Sequence, residues 1–140
     1  MADDALFVGW GEVVRGREEK AVEVFGETVQ YYTQLQQDGK IESFEPYFLA
    51  PHGGDLAGFV LVRGERAQLH EIERSPEFER LQARVSLIVD GSGVIPAVTG
   101  EALARQMGYF QEATKDLGSC ADVECPDLTE GACACLRVAE

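Results

Sequence analysis

The chain has 140 residues, with 25 acidic and 12 basic side chains and a net charge of −13. That balance argues against nucleic acid as a partner, because a phosphate backbone is held by clustered Lys and Arg, and here the basic residues are scattered and outnumbered. An anionic membrane surface is disfavoured on the same ground, and no run of about 18 apolar residues offers a membrane-spanning helix.

The opening MADDALFVGW has neither the basic region nor the long apolar region of a signal peptide, so a cytoplasmic location with reduced thiols is expected. A hydrophobic fraction of 45% suffices for one core, and one domain is expected over residues 1–117.

Residues 6–14 (LFVGWGEVV) read as the first strand. Leu6, Val8 and Trp10 point one way, and Phe7, Gly9 and Gly11 the other. The bare positions Gly9 and Gly11 fit a bulge or tight packing under a helix, or else close approach by another backbone or a ligand. A helix is predicted over 18–38. Ala21, Val22, Phe25, Val29, Tyr32 and Leu35 recur at helical spacing. Glu18 and Glu19 complement the dipole of its first turn, and Gly39 closes it. Tyr31 and Tyr32 are adjacent, so only one can sit squarely on the buried face.

A second strand is predicted over 41–50, and Pro46 places it at a sheet edge or puts a bulge there. The loop PHGGD at 51–55 turns the chain into an uncharged apolar run, 56–62 (LAGFVLV). Such a run suits a central strand covered on both faces. A short helix over 66–74 turns Leu69 and Ile72 inward. Ser75-Pro76-Glu77 starts the helix again, with Ser as N-cap and Pro in the first turn. Phe78, Leu81, Val85 and Ile88 carry its apolar stripe. After a turn at 90–93, residues 94–99 form a further edge-like strand containing Pro96. A last helix covers 100–117, with Leu103, Met107, Phe110 and Ala113 or Thr114 expected inward.

The order β-α-β-β-α-β with an added C-terminal helix predicts an α+β, ferredoxin-like domain, an antiparallel sheet with helices on one face. The other face needs cover. A second copy supplies it when two sheets close a dimeric α/β barrel, so a homodimer is expected.

The order of elements, the DGKIESF lead-in to the second strand, the LAGFVLVRG strand and the SPEF helix start resemble the dimeric α/β-barrel superfamily, and within it the YCII-related proteins. The resemblance covers roughly residues 5–100 and is one of pattern. In YCII-related proteins it implies a His on the first helix paired with an Asp just before the Pro of the second. This chain has no His on the first helix, where Tyr31 and Tyr32 stand, and Ser75 precedes Pro76. That pair is therefore not carried over. Other members of the superfamily are haem-degrading or quinone-forming monooxygenases, whose pocket His, Asn or Trp residues find no assigning motif here.

The candidate site residues follow from chemistry. His52 in the hairpin loop is the candidate acid–base group, with Glu45 as a second. Trp10, Phe44, Tyr47, Phe48 and Phe59 are expected around the bare glycines of the open sheet face, with Arg63 beside them, either packed as the core of a dimer or leaving room for a small apolar or aromatic ligand. An ion pair of Arg63 with Glu45 or Glu12 is the structural alternative for those charges. No cofactor is identified. The function expected is small-molecule binding, against an oxygenase- or isomerase-like enzyme. Cys120, Cys125, Cys133 and Cys135 lie together in the tail with spacing C-x4-C-x7-C-x-C. They are candidate metal or redox ligands, although a flexible appendage over 118–140 is the reading the composition favours.

Overall fold

A computed structural model of the chain describes residues 2–117. Its elements are β1 (Asp4–Trp10), α1 (Glu18–Gln37), β2 (Ser43–Phe48), β3 (Gly58–Gly64), α2 (Arg66–Glu73), α3 (Pro76–Ser86), β4 (Gly93–Val98) and α4 (Gly100–Asp116). The strands form one sheet in the order β2-β3-β1-β4, and every neighbouring pair is antiparallel. This is the ferredoxin-like α+β arrangement. The chain divides into two compact units after Leu103, so most of α4 is described by itself. Among the described residues no helix is long and apolar enough to cross a membrane.

Strand alternation sorts the core. Leu6 and Val8 of β1 oppose Val62 and Val60 of β3. All four are buried together with Tyr32, Leu35, Leu69, Ile72 and Phe78 from the helices. Ala21 and Val24 of α1 meet Ile88 and Val89 in a second apolar cluster. The opposite sheet face carries Phe7, Phe59 and Leu61, which are only half-buried. The expectation of full cover on both faces of β3 is corrected here: Val60 and Val62 are buried, but Phe59, Leu61 and Arg63 are not. On that open face Phe7, Phe59 and Tyr47 stack in a row, each ring 4.8 Å from the next.

The first strand ends at Trp10, short of the residue expected. The N–H of Gly11 bonds Asp90 O at 2.7 Å, which takes the backbone out of the sheet. A Cβ on Gly11 would lie 2.6 Å from that oxygen, so only glycine allows the approach. A lone bridge, Val13 to Val89, continues this new pairing.

In α1 the buried residues are Ala21, Val24, Thr28, Tyr32 and Leu35. The stripe is rotated from the expected one: Val22 is 74% exposed and Val29 is half-buried. Thr28 is tolerated inside because its hydroxyl donates to Val24 O at 2.8 Å. Tyr32 takes the buried face and Tyr31 the rim, as adjacency requires. Gly39 has φ 72° and follows the α1 C-cap.

Ser75 joins α2 to α3. Its Oγ accepts from Phe78 N–H at 3.3 Å and donates to Ile72 O at 2.8 Å. Both sheet edges carry a proline, Pro46 on β2 and Pro96 on β4. The ladder bonds at Leu49 N–H to Ala57 O (2.9 Å) and Thr99 N–H to Asp3 O (2.7 Å) belong to odd-numbered residues. Period two then turns the nitrogens of Pro46 and Pro96 outward.

α4 departs most from expectation. Ala102 is its one buried residue, and Leu103, Met107, Phe110 and both Ala113 and Thr114 are exposed. The helical period is as read.

Candidate functional site

A cavity of about 330 Å3 lies between the helix-covered face of the sheet and helices α1 and α3. Its floor is Val8, Trp10 and Val60 of the central strands. α1 supplies Ala21, Val24, Phe25 and Thr28, and the far wall is Val85, Ile88 and Val89. Phe48 projects from the end of β2 and is 71% exposed, so it stands at the mouth.

Three rings form one side. Trp10 meets Phe48 edge-on at 6.0 Å and Phe25 at 6.3 Å, while Phe25 and Phe48 are 5.1 Å apart. Polar groups are few. The Thr28 hydroxyl already donates to its own helix. Glu18 and Gln82 are the other polar lining residues. The Glu18 carboxylate is held below the ordinary range by hydrogen bonds from its own backbone N–H and from Gly16 N–H, the latter at 3.1 Å. It therefore stays an anion at the helix N-terminus. An apolar chamber with one charged edge suits a hydrophobic molecule with its polar end outward.

The aromatic residues expected together on the open face are split between two faces. Phe44, Pro46 and Phe48 oppose Val62, Val60 and Gly58, so they share the helix-covered face with Trp10. Trp10 and Phe48 line the cavity. Phe44 packs instead against the main core, with its ring 5.7 Å from Tyr32. Tyr47, Phe59 and Arg63 lie on the open face. The reason is parity: adjacent strand residues such as Tyr47 and Phe48 must point opposite ways.

Glu45 shares the open face. It accepts a hydrogen bond from the Tyr47 hydroxyl, and that bond, with the carboxylate charge, raises the Tyr47 pKa against the opposing pull of Arg63. Among the described residues Glu45 forms no ion pair with Arg63.

His52 is bound to its own loop. Nδ1 accepts from Gly54 N–H at 3.2 Å, and Nε2 lies 2.7 Å from Leu56 O. This pair of bonds requires the tautomer with its proton on Nε2. The loop borders a second, more polar cleft of about 850 Å3, together with Glu12, Asp55 and Asp90. No hydrogen bond joins His52 to Glu45. Among the described residues no group of three or more His, Cys, Asp or Glu side chains is placed to hold a metal ion. Cys120, Cys125, Cys133 and Cys135 lie outside the described residues.

Phe25, Val85 and Ile88 were legible as inward helix residues, but nothing in their spacing marks a space between them. Val24 was missed because the expected stripe was rotated toward Val22.

No family model matches the chain, and no curated protein matches it. Solved structures do. A dimeric protein of unknown function and ferredoxin-like fold from Bacteroides fragilis superposes with a TM-score of 0.51 at 8% identity, covering 68% of this chain and 95% of that one. SnoaB, a cofactor-independent oxygenase from Streptomyces nogalater, gives a TM-score of 0.49 at 15% identity, covering 71% of this chain and 95% of its own. The likeness to the Bacteroides fragilis protein, at such low identity, bears on the fold class alone, a ferredoxin-like α+β domain.

Proposed function

We propose that the protein binds a small, largely apolar molecule, aromatic or aliphatic, in the cavity between sheet and helices. The observation that carries this is the chamber itself: about 330 Å3 walled by aliphatic and aromatic side chains, with an exposed Phe48 at its mouth. Exposed apolar surface at a cavity rim gains from an apolar occupant. The protein works as a cytoplasmic homodimer whose open sheet faces cover one another. The half-buried row of Phe7, Phe59 and Tyr47 supports this, and the similar Bacteroides fragilis protein is dimeric. A kinship with YCII-related proteins rests on the element order and the Ser75-Pro76 helix start, without that group's His–Asp pair.

Trp10 is the single tryptophan and lines the cavity. Titration with 1-aminoanthracene is expected to quench its fluorescence saturably, with one probe per chain. Ala21→Phe, which fills the chamber from α1, is expected to abolish the quenching while far-UV circular dichroism stays unchanged. A linear, non-saturating response in the unsubstituted protein would rule the binding reading out.

An enzymatic reading would centre on the more polar cleft beside His52. Its ring is occupied by the loop on both nitrogens, and the apolar cavity is lined by neither His52 nor Glu45.

A further inference from the structure

The apolar cavity carries a charge preference that its shape alone does not reveal. Glu18 is the one ionisable side chain of its lining among the described residues, and neither Lys nor Arg contributes to the wall. Thr28 and Gln82, the other polar lining residues, are neutral and serve either sign. The N-terminus of a long helix ordinarily draws an anion to its unpaired N–H groups. In α1 that place is filled from within, because the Glu18 carboxylate accepts from Gly16 N–H at 3.1 Å and from its own N–H. A carboxylate or phosphate entering here would meet a fixed negative charge and no counter-ion.

A cation meets the reverse. Trp10, Phe25 and Phe48 form one side of the chamber, and the electron-rich face of an aromatic ring attracts an ammonium group. Phe48 presents such a ring at the mouth, where it is 71% exposed. The net charge of −13 favours the approach of cations over anions from any side. We propose that the occupant is a hydrophobic amine, with its apolar body in the chamber and its ammonium group at the rim, held by the Glu18 carboxylate and the aromatic rings. This rests on the cavity being a binding site and adds the head group that the site selects.

Competition against 1-aminoanthracene in the full chain, read by Trp10 fluorescence, tests it. The competitors are octylamine, octanol and octanoate, which share one chain length and at neutral pH are cationic, uncharged and anionic. Octylamine is expected to displace the dye at about tenfold lower concentration than octanoate, with octanol between them. In Glu18→Gln that ratio is expected to narrow by about threefold or more. Glu19→Gln removes the same charge from a neighbouring first-turn residue outside the lining, and is expected to leave the ratio unchanged. Octanoate displacing the dye as well as octylamine overturns the amine while the apolar binding site stands. Equal narrowing in both variants, or narrowing in neither, traces the preference to net charge and overturns the assignment to Glu18. If the dye itself does not bind saturably, the cavity is not a site and the inference falls with it.

Discussion

Trp10 lies across Gly58, its cross-strand partner in the β1–β3 ladder. A Cβ on Gly58 would sit 2.6 Å from Trp10 Cζ2 and 2.6 Å from the Tyr47 carbonyl oxygen. The glycine is what lets the indole lie flat over the strand and floor the cavity. Gly58→Ala is therefore expected to destabilise the fold by about 2 kcal/mol, since the backbone oxygen cannot yield. Urea unfolding reads the loss, and Trp10 emission should shift in the folded state as the ring moves.

Tyr32 is buried, and its hydroxyl has no hydrogen-bond partner among the described residues. An orphaned buried polar group costs about 1–3 kcal/mol. Tyr32→Phe is expected to stabilise the protein by about 1 kcal/mol in denaturant titration; a loss of stability would show that the hydroxyl is served.

Alkaline pH acts through the same residue. Burial raises the Tyr32 pKa well above its ordinary 10.0, and desolvation raises that of half-buried Tyr31 as well. Above pH 10 the unfolded chain releases these protons while the folded chain keeps them. Stability is then flat below about pH 10 and falls above it. In Tyr32→Phe the alkaline slope should be shallower, as followed by thermal melts across that range.

Ser75 accepts from the Phe78 N–H and caps α3. Ser75→Ala is expected to cost about 1 kcal/mol, and Ser75→Asp to retain most of the stability, by the same unfolding measurement.

The His52 loop separates the two candidate chemistries. His52→Ala removes both ring bonds to the loop and is expected to cost about 1 kcal/mol. Saturable quenching of Trp10 by the aromatic probe should be unaffected, because His52 does not line the apolar cavity.

Much of the fold was legible because its signals are local. Ser75-Pro76 started α3 where read, Gly39 closed α1, and the prolines placed β2 and β4 at the edges. What escaped depends on distant partners. The strand continuing past Trp10 failed because Gly11 bonds Asp90, some 79 positions along the chain. The site was half legible. Trp10 and Phe48, expected on the open face, line the helix-side cavity instead, because strand alternation sets Phe48 opposite to Tyr47. Which strand face the helices cover follows from chain topology and packing, so the cavity's α1 and α3 walls could not be joined to its floor.

Pro46 and Pro96, one in the middle of each outer strand, present no N–H to a strand arriving from outside. A sheet so terminated offers no continuous template for lateral growth, the route by which exposed edges seed fibrils. Each proline removes the outward N–H at the centre of its edge, where an added strand would need an unbroken ladder.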